Sequence, residues 1–305
     1  MTTYDLNISY PVNNYDTTIT NTQLTNLKNI VITNYQNGIY NQAINFQIFD
    51  SIKLPMNKDL NPIPVGKIKE SLIPQFPKLK LFTRITLIIN DLSKLSNLSK
   101  LQQCFDLIAI QPLNEKVFQN AIVNLENNID IISIDLSSRL NFYLKHKVVS
   151  NGLNKGIKFE IQYSQTISNY ISNDVGSNSN LIKKNWFNNV LQLIRSSRSR
   201  GLIISSGAQN PLQIRNLNDI LILLKTLGIK HEKGKSFITL NPERALINGK
   251  LRTKSYRQTV LQGDENIVDD IQYNVNERDV TKLTNRKRVQ DSAIGQLIKK
   301  KRKIE

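Results

Sequence analysis

Cysteine is almost absent. Cys104 stands alone in 305 residues, which excludes an internal disulfide framework and a multi-cysteine zinc site. Histidine is nearly as scarce, with His146 and His231 only. Metal-dependent phosphoester chemistry on a barrel needs several imidazoles and carboxylates converging at one end, and two histidines supply it poorly. No apolar run approaches the ~20 residues that span a bilayer. The opening MTTYDLNISY lacks the basic start, apolar centre and cleavage site of a signal peptide. No glycine-rich fingerprint follows the first strand-like run, which argues against a dinucleotide site. The expectation is a soluble intracellular protein with no cofactor, no bound metal and no membrane partner.

Acidic residues are also in deficit: 24 Asp+Glu face 41 Lys+Arg, giving +17 and a pI near 9.8. Such a balance favours a polyanionic partner through long-range attraction and counterion release. The surplus is uneven. Residues 145–230 hold 12 Lys/Arg against 3 Asp/Glu, and residues 281–305 hold 9 against 2, whereas the first 50 residues carry one Lys and three Asp. A hydrophobic fraction of 39% is enough for a sizeable core.

Strand-like and helix-like segments alternate. YDLNISY (4–10), YNQAINFQIF (40–49), KLFTRITLIIN (80–90), FDLIAIQP (105–112), DIISIDLSS (130–138), IKFEIQYS (157–164) and GLIISSGA (201–208) read as strands. Helical spacing fits 24–38, 114–126, 142–156, 181–196 and 217–228, with a shorter helix over 91–103 capped by Asp91 and one more small helix over 236–249. Five prolines between 51 and 78 predict a long irregular connection. Seven or eight β/α units predict a TIM-like (β/α) barrel over residues 1–258, with an open doubly wound sheet as the alternative. Residues 259–305 read as a flexible, basic C-terminal tail. In a barrel, Asn7, Gln111, Ser137, Ser138, Arg139, Ser164, Ser205 and Ser206 would lie on the functional face, and Asp5 and Asp106 at strand starts away from it.

The stretch IISIDLSSRLNFYLKHK (131–147) poses the central question, because it offers an Asp, two Ser, an Arg and a His close together. A serine mechanism also needs an orienting acid and oxyanion donors, and the GxSxG elbow is absent. Cys104 reads as a core thiol. The basic residues give the better signal: Arg139, Lys145 and Lys147 surround Phe142 and Tyr143, Arg195, Arg198 and Arg200 precede the last strand, Arg215 follows it, and Arg252, Lys254 and Arg257 come later. Arg and Lys bind phosphates, and aromatics stack on unpaired bases. In the tail, Lys287-Arg288, a ten-residue spacer and Lys299, Lys300, Lys301, Arg302 and Lys303 match a bipartite nuclear import signal.

The motifs DLN (5–7), FTRITL (82–87), FDLIAIQPLNEKVFQNA (105–121), DIISIDLSSRLNFYLKHK (130–147), GIKFEIQYS (156–164), GLIISSGAQNPLQIRNLNDI (201–220) and NPERALINGK (241–250) resemble the thirty-kilodalton-type barrel protein subunit shared by ribonuclease P and ribonuclease MRP, in a budding-yeast-like form. The resemblance implies a barrel of the polymerase/histidinol phosphatase-like type. Asn7 and Ser9 stand where that type carries a His-x-His pair. It further implies a non-catalytic role in precursor-tRNA 5′ maturation and rRNA processing, with catalysis by RNA. The implied partners are ribonuclease P RNA and MRP RNA, precursor tRNA indirectly, and other protein subunits, especially small RNA-recognition-like ones. The implied location is the nucleus and nucleolus. Arg84, Arg139, Lys147 and Arg215 fall inside matched motifs and, with Lys145, Arg252 and Lys254, are the expected RNA or assembly contacts. A stand-alone metal-dependent phosphoesterase of the same barrel class is the alternative.

Overall fold

The computed structural model describes residues 2–49, 60–72, 74–91, 98–125, 128–167 and 177–254. The chain divides into two units, Met1–Val260 and Leu261–Glu305. The second lies outside the described residues, and with it the expected flexible tail and import signal (Lys287, Arg288, Lys299, Lys300, Lys301, Arg302, Lys303). Arg257 and residues 92–97 also lie outside them.

Seven strands form one all-parallel sheet in sequence order: β1 (Tyr4–Ser9), β2 (Asn41–Phe49), β3 (Lys80–Ile89), β4 (Leu107–Pro112), β5 (Ile131–Ser133), β6 (Lys158–Gln162) and β7 (Leu202–Ser205). Helices α1 (Asn21–Gln36), α2 (Val65–Leu72), α3 (Leu98–Leu101), α4 (Glu115–Val123), α5 (His146–Asn154), α6 (Ser177–Ser197) and α7 (Leu217–Thr226) fall in the crossovers and after β7. Two more follow, α8 (His231–Ile238) and α9 (Leu240–Lys254). β7 returns to β1, so the sheet closes: Ile8 bridges Ala208, and the Gly207 amide donates to the Asn7 carbonyl at 2.8 Å. Asp5 completes the seam, accepting from the Ser206 amide at 3.0 Å and from Asn34 of α1 at 2.9 Å. Closure decides against the open sheet.

Each strand alternates between the barrel interior and the helix layer. Outward residues such as Ile44, Ile85, Ile108, Ile132, Phe159 and Leu202 join the main core with the apolar stripes of the helices. Inward residues build two unlike layers. The lower is apolar: Tyr4, Leu6, Ala43, Leu107, Ala109, Ile131 and Ile203 close on Ala245 and Leu246 of α9. The upper is polar and is described below. α9 is therefore the floor of the barrel.

Two expectations need correction. The proline-rich connection contains helix α2, because Pro64 sits just before the first turn, where a missing N–H costs nothing. Pro74 and Pro77 follow its end. The single small helix over 236–249 is two, broken at Thr239 (φ −116°, ψ −81°), which lets α9 turn under the barrel.

At Gly249, α9 passes tightly against the chain just before β4; a β-carbon there would collide with the Asp106 carbonyl. Gly249→Val should push α9 off the floor and cost about 1–3 kcal/mol as overpacking. Thermal unfolding of the full chain followed by circular dichroism should show a lowered Tm.

Candidate nucleic-acid interface

The upper layer inside the barrel holds two opposite charges that water does not reach. Arg84 of β3 and Glu160 of β6 each have fully buried side chains. They meet fork to fork, Nη1 to Oε1 at 2.5 Å and Nη2 to Oε2 at 2.7 Å. Arg84 also donates through Nη1 to the Leu6 carbonyl (2.9 Å) and through Nε to Thr86 Oγ1 (3.2 Å). Glu160 accepts further from Ser205 Oγ (2.6 Å), Asn7 Nδ2 (3.2 Å) and Gln162 Nε2 (3.3 Å). Asn45 donates to Asn7 Oδ1 and accepts from Thr86, both at 2.7 Å, and Gln162 also donates to Ser133 Oγ at 2.8 Å. The network engages side chains from every strand but β4.

Burial pushes the Glu160 carboxyl up, but the Arg84 charge and the hydrogen bonds from Arg84, Ser205 and Ser133 outweigh it and hold the group below its ordinary range. Asp5 shows the reverse balance. Desolvation raises it, and the donors from Ser206, Asn34 and Asn7 offset only part of that.

These residues do not fit a catalytic metal. The carboxylate is neutralised by a guanidinium, the remaining donors are neutral amides and hydroxyls, and a divalent cation would face Arg84. Among the described residues, no three His, Cys, Asp or Glu side chains come together. Ser205 is no nucleophile either, since its hydroxyl donates to a carboxylate locked by arginine.

Arg84 must therefore be reassigned from an RNA or assembly contact to the centre of the barrel, because its guanidinium is sealed inside. Arg252 requires a similar correction. Its side chain is 3% exposed and donates to Gln102 O (2.9 Å), Asp106 O (3.2 Å) and Asp130 Oδ2 (3.0 Å), which anchors α9 beneath β4 and β5. Of Lys254 only its place at the end of α9 is described.

The stretch after β5 behaves differently. There Asp135 accepts from Ser137 N (3.0 Å), Ser137 Oγ (2.6 Å) and Ser138 Oγ (2.9 Å), folding the chain back on itself. Asn189 of α6 donates to the carbonyls of Leu136 (2.9 Å) and Ser138 (2.7 Å). Asp135 thus shapes a loop pinned to α6, and that loop displays exposed Arg139 and Tyr143, the latter 69% exposed. Lys145 pairs with Glu115 of α4 at 2.8 Å on the surface, and the Lys145 hydrogen bond and charge lower the Glu115 carboxyl. Lys147 is exposed. Among the described residues His146 has no acid partner; its Nδ1 lies 2.6 Å from the Ser196 carbonyl. Arg215 is half-buried and donates to the carbonyls of Leu212 (2.9 Å) and Ile214 (3.0 Å), bracing the loop after β7. Cys104 is half-buried, with its thiol on the Lys100 carbonyl rather than deep in the core.

Sequence reasoning missed Glu160, Asn45, Thr86 and Ser133 as members of one network. A signal was present: FTRITL and KFEIQ each place a full charge among strand-forming residues, and two opposite charges in buried parallel strands must find each other.

Similarity to known proteins agrees with this picture. The family described as RNase P subunit p30 matches residues 2–254. The chain is 37% identical over 274 residues to ribonuclease P/MRP protein subunit RPP1 of Saccharomyces cerevisiae, covering 88% of this chain and 89% of that one. It is 32% identical over 221 residues to probable ribonuclease P protein subunit 3 of Schizosaccharomyces pombe, covering 72% and 85%. A chain from the cryo-EM structure of archaeal ribonuclease P with mature tRNA superposes with a TM-score of 0.55, at 19% identity over 86% of this chain and 96% of that one, a likeness of fold. The stand-alone phosphoesterase finds no support in these likenesses.

Glu160→Gln should destabilise the fold by about 3–5 kcal/mol, since it strands the Arg84 charge. Arg84→Met combined with Glu160→Leu should recover most of that loss. The pH dependence carries a sign. A depressed Glu160 stabilises the fold fully above the unfolded carboxylate range, near 4.5, and loses that contribution as pH falls through the lower folded value. Denaturant melts of wild type and Glu160→Gln should therefore converge in acid.

Proposed function

The chain belongs to the RNase P subunit p30 family, and from that premise we propose that it is a non-catalytic subunit of ribonuclease P and ribonuclease MRP. In this reading it binds and scaffolds the catalytic RNA, serving precursor-tRNA 5′ maturation and rRNA processing. Hydrolysis belongs to the RNA. The observation that carries the reading is the Arg84–Glu160 pair, which fills the mouth of the barrel with a satisfied neutral network where an enzyme of this architecture needs open ligands and a water.

What the barrel offers a partner lies outside that mouth. Arg139 and Tyr143 on the pinned loop combine a phosphate-binding guanidinium with an exposed ring suited to an unpaired base, and Lys147 adds a second cation. Arg215 and Lys145, already engaged with their own neighbours, suit assembly and loop support better than direct phosphate contact. The protein partners of the proposal are other ribonuclease P/MRP subunits, including small RNA-recognition-like ones. The bipartite basic run of the tail would direct the chain to the nucleus and nucleolus.

Affinity-tagged protein should retrieve both catalytic RNAs, and depletion should accumulate 5′-extended precursor tRNA. The isolated recombinant chain, with added divalent metal, should show no phosphodiester turnover. Recovery of neither RNA, or robust turnover by the protein alone, would overturn the reading. If Arg139 and Lys147 meet phosphates, replacing both with Ala should flatten the log–log salt dependence of RNA binding by about one unit for each phosphate released, somewhat less on single strands. An unchanged slope would move them to a protein interface.

A further inference from the structure

The end of α6 is built against backbone preference. Arg198 N donates to the Arg195 carbonyl (3.3 Å) and Ser199 N to the Ile194 carbonyl (3.0 Å), the pair of bonds with which helices commonly close on a left-handed glycine. Here the left-handed positions are Arg198 (φ 53°) and Ser199 (φ 54°), where a side chain is strained. The turn is held in that shape from beneath. Ser196 and Ser197 are buried, and Gly201 (φ 60°) lies so close to α5 that a β-carbon would strike Leu153. His146 at the start of α5 approaches the Ser196 carbonyl at 2.6 Å. Two basic segments that are fifty residues apart, Lys145–Lys147 and Arg195–Arg200, thus meet on one side of the barrel.

That side carries a cluster of positive charge. Lys147, Arg195, Arg198 and Arg200 are exposed, and α5, α6 and the turn 198–201 contain no Asp or Glu. Among the described residues none of these four cations is paired with a carboxylate, in contrast to Lys145. α5 and residues 188–201 also lack Phe, Tyr and Trp. Recognition of unpaired strands relies on aromatic platforms, whereas a double helix offers rows of phosphates that guanidinium groups reach without stacking.

We propose that the flank formed by α5, the end of α6 and the strained turn Arg198–Gly201 grips the phosphate backbone of an RNA double helix, with Arg195, Arg198, Arg200 and Lys147 as the contacts. This rests on the subunit reading above and deepens it: the barrel meets paired RNA with its side, and the pinned Arg139–Tyr143 loop is left for unpaired nucleotides. The strain at Arg198 keeps a guanidinium outermost on a rigid turn.

The test uses the full chain, with KKKRK (299–303) intact and with it changed to glutamines, so that the tail does not mask the flank. Binding to a blunt RNA duplex and to a single strand of equal length is measured against salt concentration. Arg195→Gln, Arg198→Gly and Arg200→Gln together should flatten the duplex slope by about 0.9 unit for each phosphate no longer neutralised, with a smaller change on the single strand. Arg198→Gly alone should flatten it too and, by relieving the left-handed strain, raise Tm. An unchanged duplex slope in the triple variant, an equal change on both RNAs, or a lowered Tm for Arg198→Gly would overturn the proposal. Failure of the subunit reading would look different: wild-type protein from cells would retrieve neither catalytic RNA, while the slopes in vitro would still report on the flank.

Discussion

A charged pair sealed inside a seven-stranded barrel is the constraint around which the rest is arranged. Removing a guanidinium and a carboxylate from water is tolerated only with close geometry and with their remaining hydrogen-bonding capacity satisfied. Arg84 and Glu160 meet that condition by recruiting Leu6, Asn7, Thr86, Ser205 and Gln162, and the ring extends to Asn45 and Ser133. A one-residue slip of β3 or β6 would turn its charge into the apolar helix layer. The pair therefore fixes register across the barrel, and the same requirement removes its mouth from chemistry. A site that accepts only one internal arrangement has no ligand position left to exchange.

Asp5 plays a complementary part at the seam. With only an isolated bridge between β7 and β1, a buried carboxyl that accepts from the Ser206 amide and Asn34 replaces part of the missing ladder. The cost is visible in its raised affinity for a proton. Its pH effect opposes that of Glu160: the penalty for ionised Asp5 is relieved as pH falls through its raised folded value, whereas the Glu160 contribution is lost only as pH falls below the unfolded carboxylate range. One carboxylate is held by a cation and the other by neutral donors, and that difference sets the two signs.

The barrel itself was legible in the sequence. Buried parallel strands write themselves as short β-branched runs between amphipathic helices, and all seven were readable. What failed to read had local causes. α2 was hidden because prolines that break a helix interior are harmless at its start and beyond its end. The α8–α9 break carried a marker that was passed over: Pro242, in the first turn of α9, fits a helix start and not the interior of one helix over 236–249. Arg84 was assigned outward because a strand buried on both faces gives no alternation to say which way one charged residue points, and Arg252 because an arginine on a terminal helix usually faces water. In the loop from Asp135 to Lys147 the two groups that suggest chemistry serve local structure: Asp135 is committed to Ser137 and Ser138, and His146 lies against a carbonyl.

The protein thus treats charge in two opposite ways. Inside, Arg84 and Glu160 are partners at contact distance, and what the pair provides is a definite register. Outside, Lys147, Arg195, Arg198 and Arg200 are gathered with no carboxylate paired to them among the described residues, which weakens the compact state through self-repulsion. Repulsion among exposed charges is screened over about 10 Å at moderate salt, so the apolar layers beneath can outweigh it. A polyanion laid against the same surface removes the repulsion and releases its own counterions at once. The folded chain and its proposed ligand therefore stabilise one another through a single term, whereas the Arg84–Glu160 pair needs nothing from outside. That asymmetry is what the proposed scaffolding role requires: an interior complete in itself, and a surface that is not.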